Sequence, residues 1–525
     1  MFGLEKIVNK VEIPPSEVDA DLAIPAFNLD KNKIIEEIKK LGAFDEPKIV
    51  GQYINIKLNT RGENRIVADL IRHLNEDGEE FGFNNDGNGQ KIIIEYSGPN
   101  IAKPMHMGHA RNNAIGHALV NIYKANGYEV TTTNHLGDWG MSLAKIMLAY
   151  QKWGDEKEFE KDAIRHLLDL YIRITKELET NPELENEARI LFKKLEDGDK
   201  KLRELWQKFR DVSMENFKRV YEMLGISFDI WNGESFYEPY INEVIQEALD
   251  KKVATREAGG PTAVNLDQFK LPSYLLCKSD GASLYSARDL AVGKWRLKEY
   301  NPDKILYVVG HEQELYLKQI FKTLGLMGYP EEKFEHISYG LVTLNNKKIS
   351  TRSGNIIFLE DGLKEAIKRA KGIKEVGIGA VVYNMLFQSR EKDIAFDWEK
   401  ILNLQGNSAP YIQYGYVRAK SILEKARELK KTDHIIISEK EIKLVVLISY
   451  YPYIVKQARQ LNSPHLIATF LNNFVQEFNR FYTNSPVISA ENDLVKNSRL
   501  LLTKSVAQVI KNGLWLLGIQ APEKM

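Results

Sequence analysis

Lys91-Ile-Ile-Ile-Glu95-Tyr-Ser97-Gly-Pro99-Asn100-Ile-Ala-Lys103-Pro104-Met-His106-Met-Gly108-His109 opens the stretch, running on to residue 139, whose reading decides the fold. The apolar, β-branched run 92–94 has the character of a buried strand. Gly98, Pro99 and Pro104 break it. From Gly108 to Ala125 the spacing turns helical, with Ala114, Ile115, Ala118, Leu119 and Ile122 on one face. Gly127 stops that helix, and residues 130–133 are β-branched again. A strand, helix and strand of this length imply a parallel sheet joined by a crossover. Two histidines and a lysine then sit where a helix begins beside the carboxyl end of a strand. Backbone N–H groups and the helix dipole favour phosphate at such a place. Gly108 has no Cβ and lets a phosphate or a base come close.

The histidine spacing alone leaves other readings open. A metal site would need a carboxylate or cysteine nearby to complete a ligand set, and none is at hand. Two histidines with a purely packing role fit the same spacing. A second element lies far downstream, Lys347-Lys348-Ile-Ser350-Thr351-Arg352-Ser353-Gly354-Asn355, after the apolar segment 340–344. A loop with two lysines, an arginine, hydroxyls and a turn-permitting glycine is suited to hold a pyrophosphate. By itself it reads equally as a solvated basic loop.

Together the two elements resemble the halves of a class I aminoacyl-tRNA synthetase ATP site, the His-Ile-Gly-His and Lys-Met-Ser-Lys-Ser motifs. The version at 97–109 resembles that of the arginyl-tRNA synthetases. So do His135-Leu-Gly-Asp138-Trp139-Gly140, Tyr285-Ser-Ala-Arg288-Asp289, Glu312-Gln313-Glu314-Leu and the C-terminal segment 513–525. The matches span residues 90–525, nearly the whole chain. The second lysine of the downstream motif is replaced by Thr351, and Lys103 resembles the family's substitute cation. The resemblance implies ATP with Mg2+, L-arginine and tRNA(Arg) as the reacting partners. It also implies Lys103, His106, Gly108, His109, Lys348, Ser350 and Arg352 around the nucleotide.

Composition agrees. A chain of 525 residues is too long for one core and suggests about three domains. It is 43% hydrophobic and 27% charged, with 72 basic and 72 acidic residues, so a nucleic-acid surface must be a local patch. The single cysteine, Cys277, excludes an internal disulfide and a cysteine-built zinc site. No structural metal is expected. The N-terminus lacks a signal-peptide apolar core, and the apolar run 444–455 is too short to span a bilayer. A cytoplasmic monomer with no membrane partner is the expectation. Two rivals are a nucleotidyltransferase of the same superfamily, which needs no C-terminal bundle, and a tRNA-binding relative with a dead site.

The expected fold class is α/β. Residues 1–90 form a small α+β domain, with a helix capped by Asp30 and closed by Gly42, and a strand at 53–58. Residues 91–400 form a Rossmann-type parallel-sheet catalytic domain with a helical insertion at about 150–250. Residues 401–525 form an all-α bundle, with Phe470, Leu471, Phe474, Val475, Phe478 and Phe481 as a core stripe. The resemblance implies D-loop binding for the first part and anticodon binding for the last.

Arginine's guanidinium is planar and always charged, so its site needs carboxylates and acceptors in fork geometry. Glu95 closes the first strand. Tyr285 and Asp289, four apart, share a helix face. Asn100 and Gln313 add amides. By resemblance these five match the family's arginine-binding residues. For tRNA, the helix start at 407–418 offers Tyr411, Gln413, Tyr414 and Arg418 for stacking and phosphate. In the 53–58 strand, alternation puts Tyr53, Asn55 and Lys57 on the face opposite Ile54, Ile56 and Leu58. By resemblance, Tyr53 and Asn55 fall at the D-loop contact.

Overall fold

Ile92, Ile93 and Ile94 are all buried, and their strand is the centre of a parallel sheet. The computed structural model describes residues 3–4, 7–8, 10–15, 17–59, 65–279, 281–344, 347–348, 357–426 and 435–525. The chain folds into two compact units, Gly87–Lys368 with Gln388–Asp397, and Met1–Asp86 with Arg369–Phe387 and Trp398–Met525. Helix Lys374–Leu386, expected with the catalytic sheet, falls in the second of these.

In the sheet-bearing unit the strands are β1 (Lys91–Glu95), β2 (Glu129–Thr133), β3 (Lys304–Gly310) and β4 (Phe334–Tyr339). Their order is β4-β3-β1-β2, all parallel. The chain leaves β1 toward β2 on one side and returns as β3 on the other. A reversal of this kind opens a crevice at the carboxyl ends of the two central strands. Four helices matter to it, α1 (Met107–Ala125), α2 (Lys200–Leu224), α3 (Tyr285–Tyr300) and α4 (Glu314–Leu326).

The one-sided apolar pattern expected for α1 understates its burial. Arg111, Asn112 and Asn113 are buried along with the apolar face. Most of their polar atoms are taken up, though Arg111 Nε and Asn113 Oδ1 are buried without a hydrogen bond among the described residues. Arg111 Nη2 donates to the carbonyls of Arg390 and Lys392 at 2.9 and 2.7 Å. Asn112 Nδ2 donates to the Val308 carbonyl at 2.7 Å and the Tyr339 hydroxyl at 3.0 Å, and its Oδ1 accepts from Ser97 N–H. Each bond made lowers the cost of burying these polar groups.

The insertion begins after β2 and runs through five helices, Met141–Trp153, Glu156–Lys161, Ala163–Thr180, Glu183–Glu196 and α2. Asp155, Asp162 and Asp199 cap three of them with their carboxylates. The insertion returns to where it left. Thr132 N–H donates to Asp229 Oδ2 at 2.8 Å, and Asn134 N–H to the Ile230 carbonyl at 2.9 Å. Ser235 N–H and hydroxyl both bond the Asp138 carboxylate at 2.8 Å. A Cβ on Gly233 would lie 2.5 Å from that carboxylate, so only glycine fits.

The other unit joins a three-stranded antiparallel sheet, Leu22–Pro25, Tyr53–Ile56 and Lys48–Val50, to a helical bundle. Helix Lys31–Lys40 is capped by Asp30 as its sequence predicts. Val446 of helix Glu439–Gln460 belongs to the same apolar core as Leu22, Ile24, Ile38 and Ile54, and Tyr450 donates to the Val11 carbonyl at 2.9 Å. The phenylalanine stripe of helix His465–Asn484 is buried throughout. Among the described residues no helix is long and apolar enough to cross a membrane.

Gly116 on α1 gives the sharpest packing test. A Cβ there would lie 2.2 Å from Cγ of Tyr96. Gly116→Ala is expected to lower stability by about 1–3 kcal/mol, read as a lower urea midpoint at unchanged slope.

Candidate active site

The crevice holds a cavity of about 340 Å³. Glu95 lies at the end of β1, and Tyr307 and Val309 on β3 form the neighbouring wall. Ser97, Gly98 and Asn100 come from the loop after β1, Asp289 from α3, and Gln313 and Tyr316 from the start of α4. Four of the five residues expected for arginine thus meet in one cavity, though Glu95 and Asp289 are 194 positions apart (289 minus 95). The fifth, Tyr285, is the first residue of α3 and 61% exposed. Its ring packs on Tyr316 with centroids 5.1 Å apart. Asn100 is held by backbone pairing to Gly137, whose Cβ, if present, would lie 2.1 Å from the Asn100 oxygen.

Glu95 also has an internal partner. Its carboxylate faces the fully buried guanidinium of Arg296 at 2.5 Å. Glu234 on the cavity wall accepts from Arg288 Nη1 at 3.0 Å. Burial pushes the carboxyl groups of Glu234 and Asp289 up from their ordinary values. Arg296, Glu234 and Tyr316 were not singled out from the sequence. Arg296 and Tyr316 lie close to motifs already noted, while Glu234 had no such signal.

His106 caps α1. Its Nδ1 accepts from Gly108 N–H at 3.1 Å, and His109 Nδ1 accepts from His106 N–H at 3.0 Å. Two of the helix's unpaired N–H groups are satisfied by imidazoles. An accepting Nδ1 puts the proton of the neutral ring on Nε2. Burial lowers His106 to about 4 and His109 to about 3, so both rings are neutral near pH 7. A Cβ on Gly108 would lie 2.8 Å from the His106 ring, so glycine here serves the ring as well as any ligand.

The remaining residues expected at the nucleotide divide. Ser350 and Arg352 lie outside the described residues, as does the side chain of Lys348, whose backbone pairs with Thr343. The segment following that loop is tied to the histidines: Met107 N–H donates to the Ile357 carbonyl at 3.0 Å, and Leu359 N–H to the Met105 carbonyl at 2.9 Å. Lys103 departs from expectation. Its ammonium donates to Ser142 Oγ at 2.8 Å and sits 3.6 Å over the Tyr171 ring, both on insertion helices.

A family model described as tRNA synthetases class I (R), catalytic domain, matches residues 72–398, and one described as DALR anticodon binding domain matches 412–525. The Arginine--tRNA ligase of Clostridium perfringens (strain 13 / Type A) is 40% identical over 99% of this chain and 97% of its own length. The chain belongs to the arginine–tRNA ligase family. That of Clostridium beijerinckii (strain ATCC 51743 / NCIMB 8052) is 39% identical with the same coverage. The fold matches Thermus thermophilus arginyl-tRNA synthetase with a TM-score of 0.81, at 24% identity over 100% of this chain and 98% of that one. Arginyl-tRNA synthetase from Plasmodium falciparum matches at 0.76, also 24% identical, over 100% and 97%. A nucleotidyltransferase is set aside by the two family domains in succession.

In this chain the residues expected to meet tRNA are only partly at the surface. Gln413 is fully buried and donates to the carbonyls of Glu375 and Gln520 at 3.0 and 2.8 Å. It clasps the bundle and has no free edge for a base, contrary to expectation. Tyr414 is 43% exposed, with Arg418 stacked 4.7 Å above it. Arg418 also lies over the exposed ring of Tyr482 at 5.1 Å and donates to Asn479, whose amide donates to the Tyr411 hydroxyl at 3.1 Å. Tyr482 was not picked out from the sequence. Tyr53 and Asn55 are half-buried while Ile54 and Ile56 are buried, the alternation predicted. The Tyr53 ring meets the exposed Phe27 edge-on at 5.7 Å.

The imidazole assignment is open to direct measurement. In histidine-labelled protein, the ring signals of His106 and His109 are expected to stay in the neutral Nε2–H form from pH 8 down to about pH 5. A midpoint near the ordinary value for either ring would contradict the buried cap.

Proposed function

We propose that the crevice activates L-arginine with ATP and passes it to tRNA(Arg), with Asp289 as the partner of the guanidinium. The observation that carries this is a buried carboxylate, Asp289, on the wall of a cavity shared with Asn100 and Gln313, beside a helix that starts with two neutral Nε2–H donors. A buried guanidinium needs a charged acceptor, and a developing phosphate charge needs donors fixed in advance.

The arginine carboxylate attacks the ATP α-phosphate. The bond to the pyrophosphate oxygen breaks, and pyrophosphate leaves. His106 and His109 donate from Nε2 to the phosphate as its charge grows, and they lose no proton in doing so. Lys348, Ser350 and Arg352 neutralise and orient the triphosphate. Lys103 contributes after exchanging its Ser142 contact for phosphate. A ribose hydroxyl of the tRNA's terminal adenosine then attacks the arginyl carbonyl, and AMP leaves. Positioning and charge supply most of the acceleration. Magnesium arrives with the nucleotide. Among the described residues there is no group of three or more His, Cys, Asp or Glu side chains placed to hold a metal ion.

Tyr53 and Asn55 take the D-loop corner of the tRNA, and Tyr414, Arg418 and Tyr411 take unpaired anticodon bases. Gln413 is not part of that surface.

Pyrophosphate exchange with arginine and a panel of other amino acids, with and without tRNA, tests the reading. Exchange should be confined to arginine. Asp289→Asn should weaken arginine use by roughly 3–5 kcal/mol, the size found when one member of a buried charge pair is removed. Near-normal arginine kinetics in that variant would sink the pocket assignment.

The bundle surface has its own measurement. Tyr414→Ala should cost about 1–3 kcal/mol of tRNA binding, the worth of one stacked base, and leave arginine and ATP parameters as they were. An unchanged Michaelis constant for tRNA would remove Tyr414 from the interface.

A further inference from the structure

Three carboxylates line the cavity, and two of them already face a cation. Glu95 is paired with Arg296 at 2.5 Å, and Glu234 with Arg288 at 3.0 Å. Each pair is neutral overall. Asp289 forms no ion pair among the described residues. Its Oδ2 accepts a hydrogen bond from the Tyr316 hydroxyl. The negative charge left for an incoming monocation therefore rests on Asp289 alone.

Tyr316 reaches that carboxylate from a different helix. It sits on α4, after β3, while Asp289 and Tyr285 are on α3. Its ring meets Tyr285 at 5.1 Å and 54°. One side chain thus braces both residues assigned to the guanidinium. A hydroxyl donor to one carboxylate oxygen fixes the rotamer and leaves the other oxygen for a ligand.

We propose that Tyr316 is the positioning residue for amino-acid selection, holding Asp289 ionised and in one orientation while its ring supports Tyr285 at the rim. The inference rests on the assignment of Asp289 to the guanidinium. The groups around Asp289 show why such a donor matters. Burial and the Glu95 carboxylate on β1 push its carboxyl up, and Glu234 adds to that repulsion. His135, the Tyr316 hydroxyl and Arg288 pull it down. Tyr274 and Tyr307 also face it and are neutral phenols, both held above their ordinary values by burial. Tyr316 itself is pushed far up, by burial and by Asp289, so it remains a donor at any working pH. Asp289 needs its charge to bind arginine, and Tyr316 is a neutral group that favours the charged form without cancelling it.

Tyr316→Phe keeps the ring and removes only the hydroxyl. In pyrophosphate exchange its Michaelis constant for arginine should rise about tenfold or more, the worth of one hydrogen bond to a charged group. The Michaelis constant for ATP and the turnover number should stay within about twofold. The pH profile separates positioning from general packing. Loss of the donor raises the carboxyl further, so the acid limb of kcat/KM for arginine should move up by about one pH unit. The ratio of kcat/KM at about pH 6 to that at about pH 8 should fall relative to the parent protein. An unchanged arginine constant and unchanged limb overturn the proposal. So does a variant in which arginine, ATP and turnover all deteriorate together with no shift of the limb. A parent protein that does not exchange with arginine would overturn the functional reading itself. Normal exchange in the parent with a silent Tyr316→Phe overturns this inference alone.

Discussion

A helix start buried inside a protein must find partners for its free N–H groups, and in this chain the partners are the two imidazoles. His106 and His109 accept at Nδ1, and from that follow the Nε2–H tautomer, the neutral charge and the requirement for Gly108 beneath the ring. The same helix carries Arg111 and Asn112 into the interior. Asn112 bonds the loop after β1, the middle of β3 and the end of β4. Arg111 holds the carbonyls at 390 and 392, which belong to the segment that returns to the sheet-bearing unit. One buried helix therefore sets both the orientation of the two imidazoles and the spacing of the strands around the cavity.

The cavity is arranged by charge. Three carboxylates crowded together without counter-ions would repel one another. The buried Arg296 and Arg288 prevent this by converting two carboxylates into neutral, acceptor-rich walls. What remains is a pocket of net charge near minus one, the complement of a single guanidinium under the proposed reading. A lysine-sized cation would also be attracted, so discrimination falls to the planar acceptors and to the shape between Tyr285 and Tyr316.

The parts legible in the sequence were those whose signals are local. β1, α1 and β2 lie in one run of apolar spacing and glycine stops, and they appear almost at the predicted bounds. Asp30 announces its helix by capping chemistry. Four residues named from the family motifs line one cavity, and each of those motifs is short enough to be read locally. The rest depends on which face of an element meets which neighbour. Gln413, like Tyr414, looked like a surface group on a helix, yet one faces Glu375 and Gln520 and the other faces outward. Lys103 precedes the histidines by three positions, but its stem turns toward Ser142 and Tyr171 on the insertion. Arg296 and Tyr316 meet Glu95 and Asp289 only after the chain has crossed the sheet, and no spacing encodes that.

The insertion leaves the sheet beside Asn134 and comes back at Ile230, where backbone and carboxylate bonds join its two ends. Viewed from the strands, nearly a hundred residues occupy the footprint of a short turn. Closing a longer loop costs only logarithmically more entropy. The length of the outer helices is thus only weakly coupled to the sheet, while α2 stays tied to the loop after β1 through Ser213 and Tyr221. Its outer helices can change in length or surface while the crevice keeps its shape, so long as α2 and the clasp of Asp229, Gly233 and Asp138 survive. Those three residues, with Ser213 and Tyr221 of α2, which bond Ala102 N–H and the Ser97 hydroxyl, are where change would be felt at the cavity.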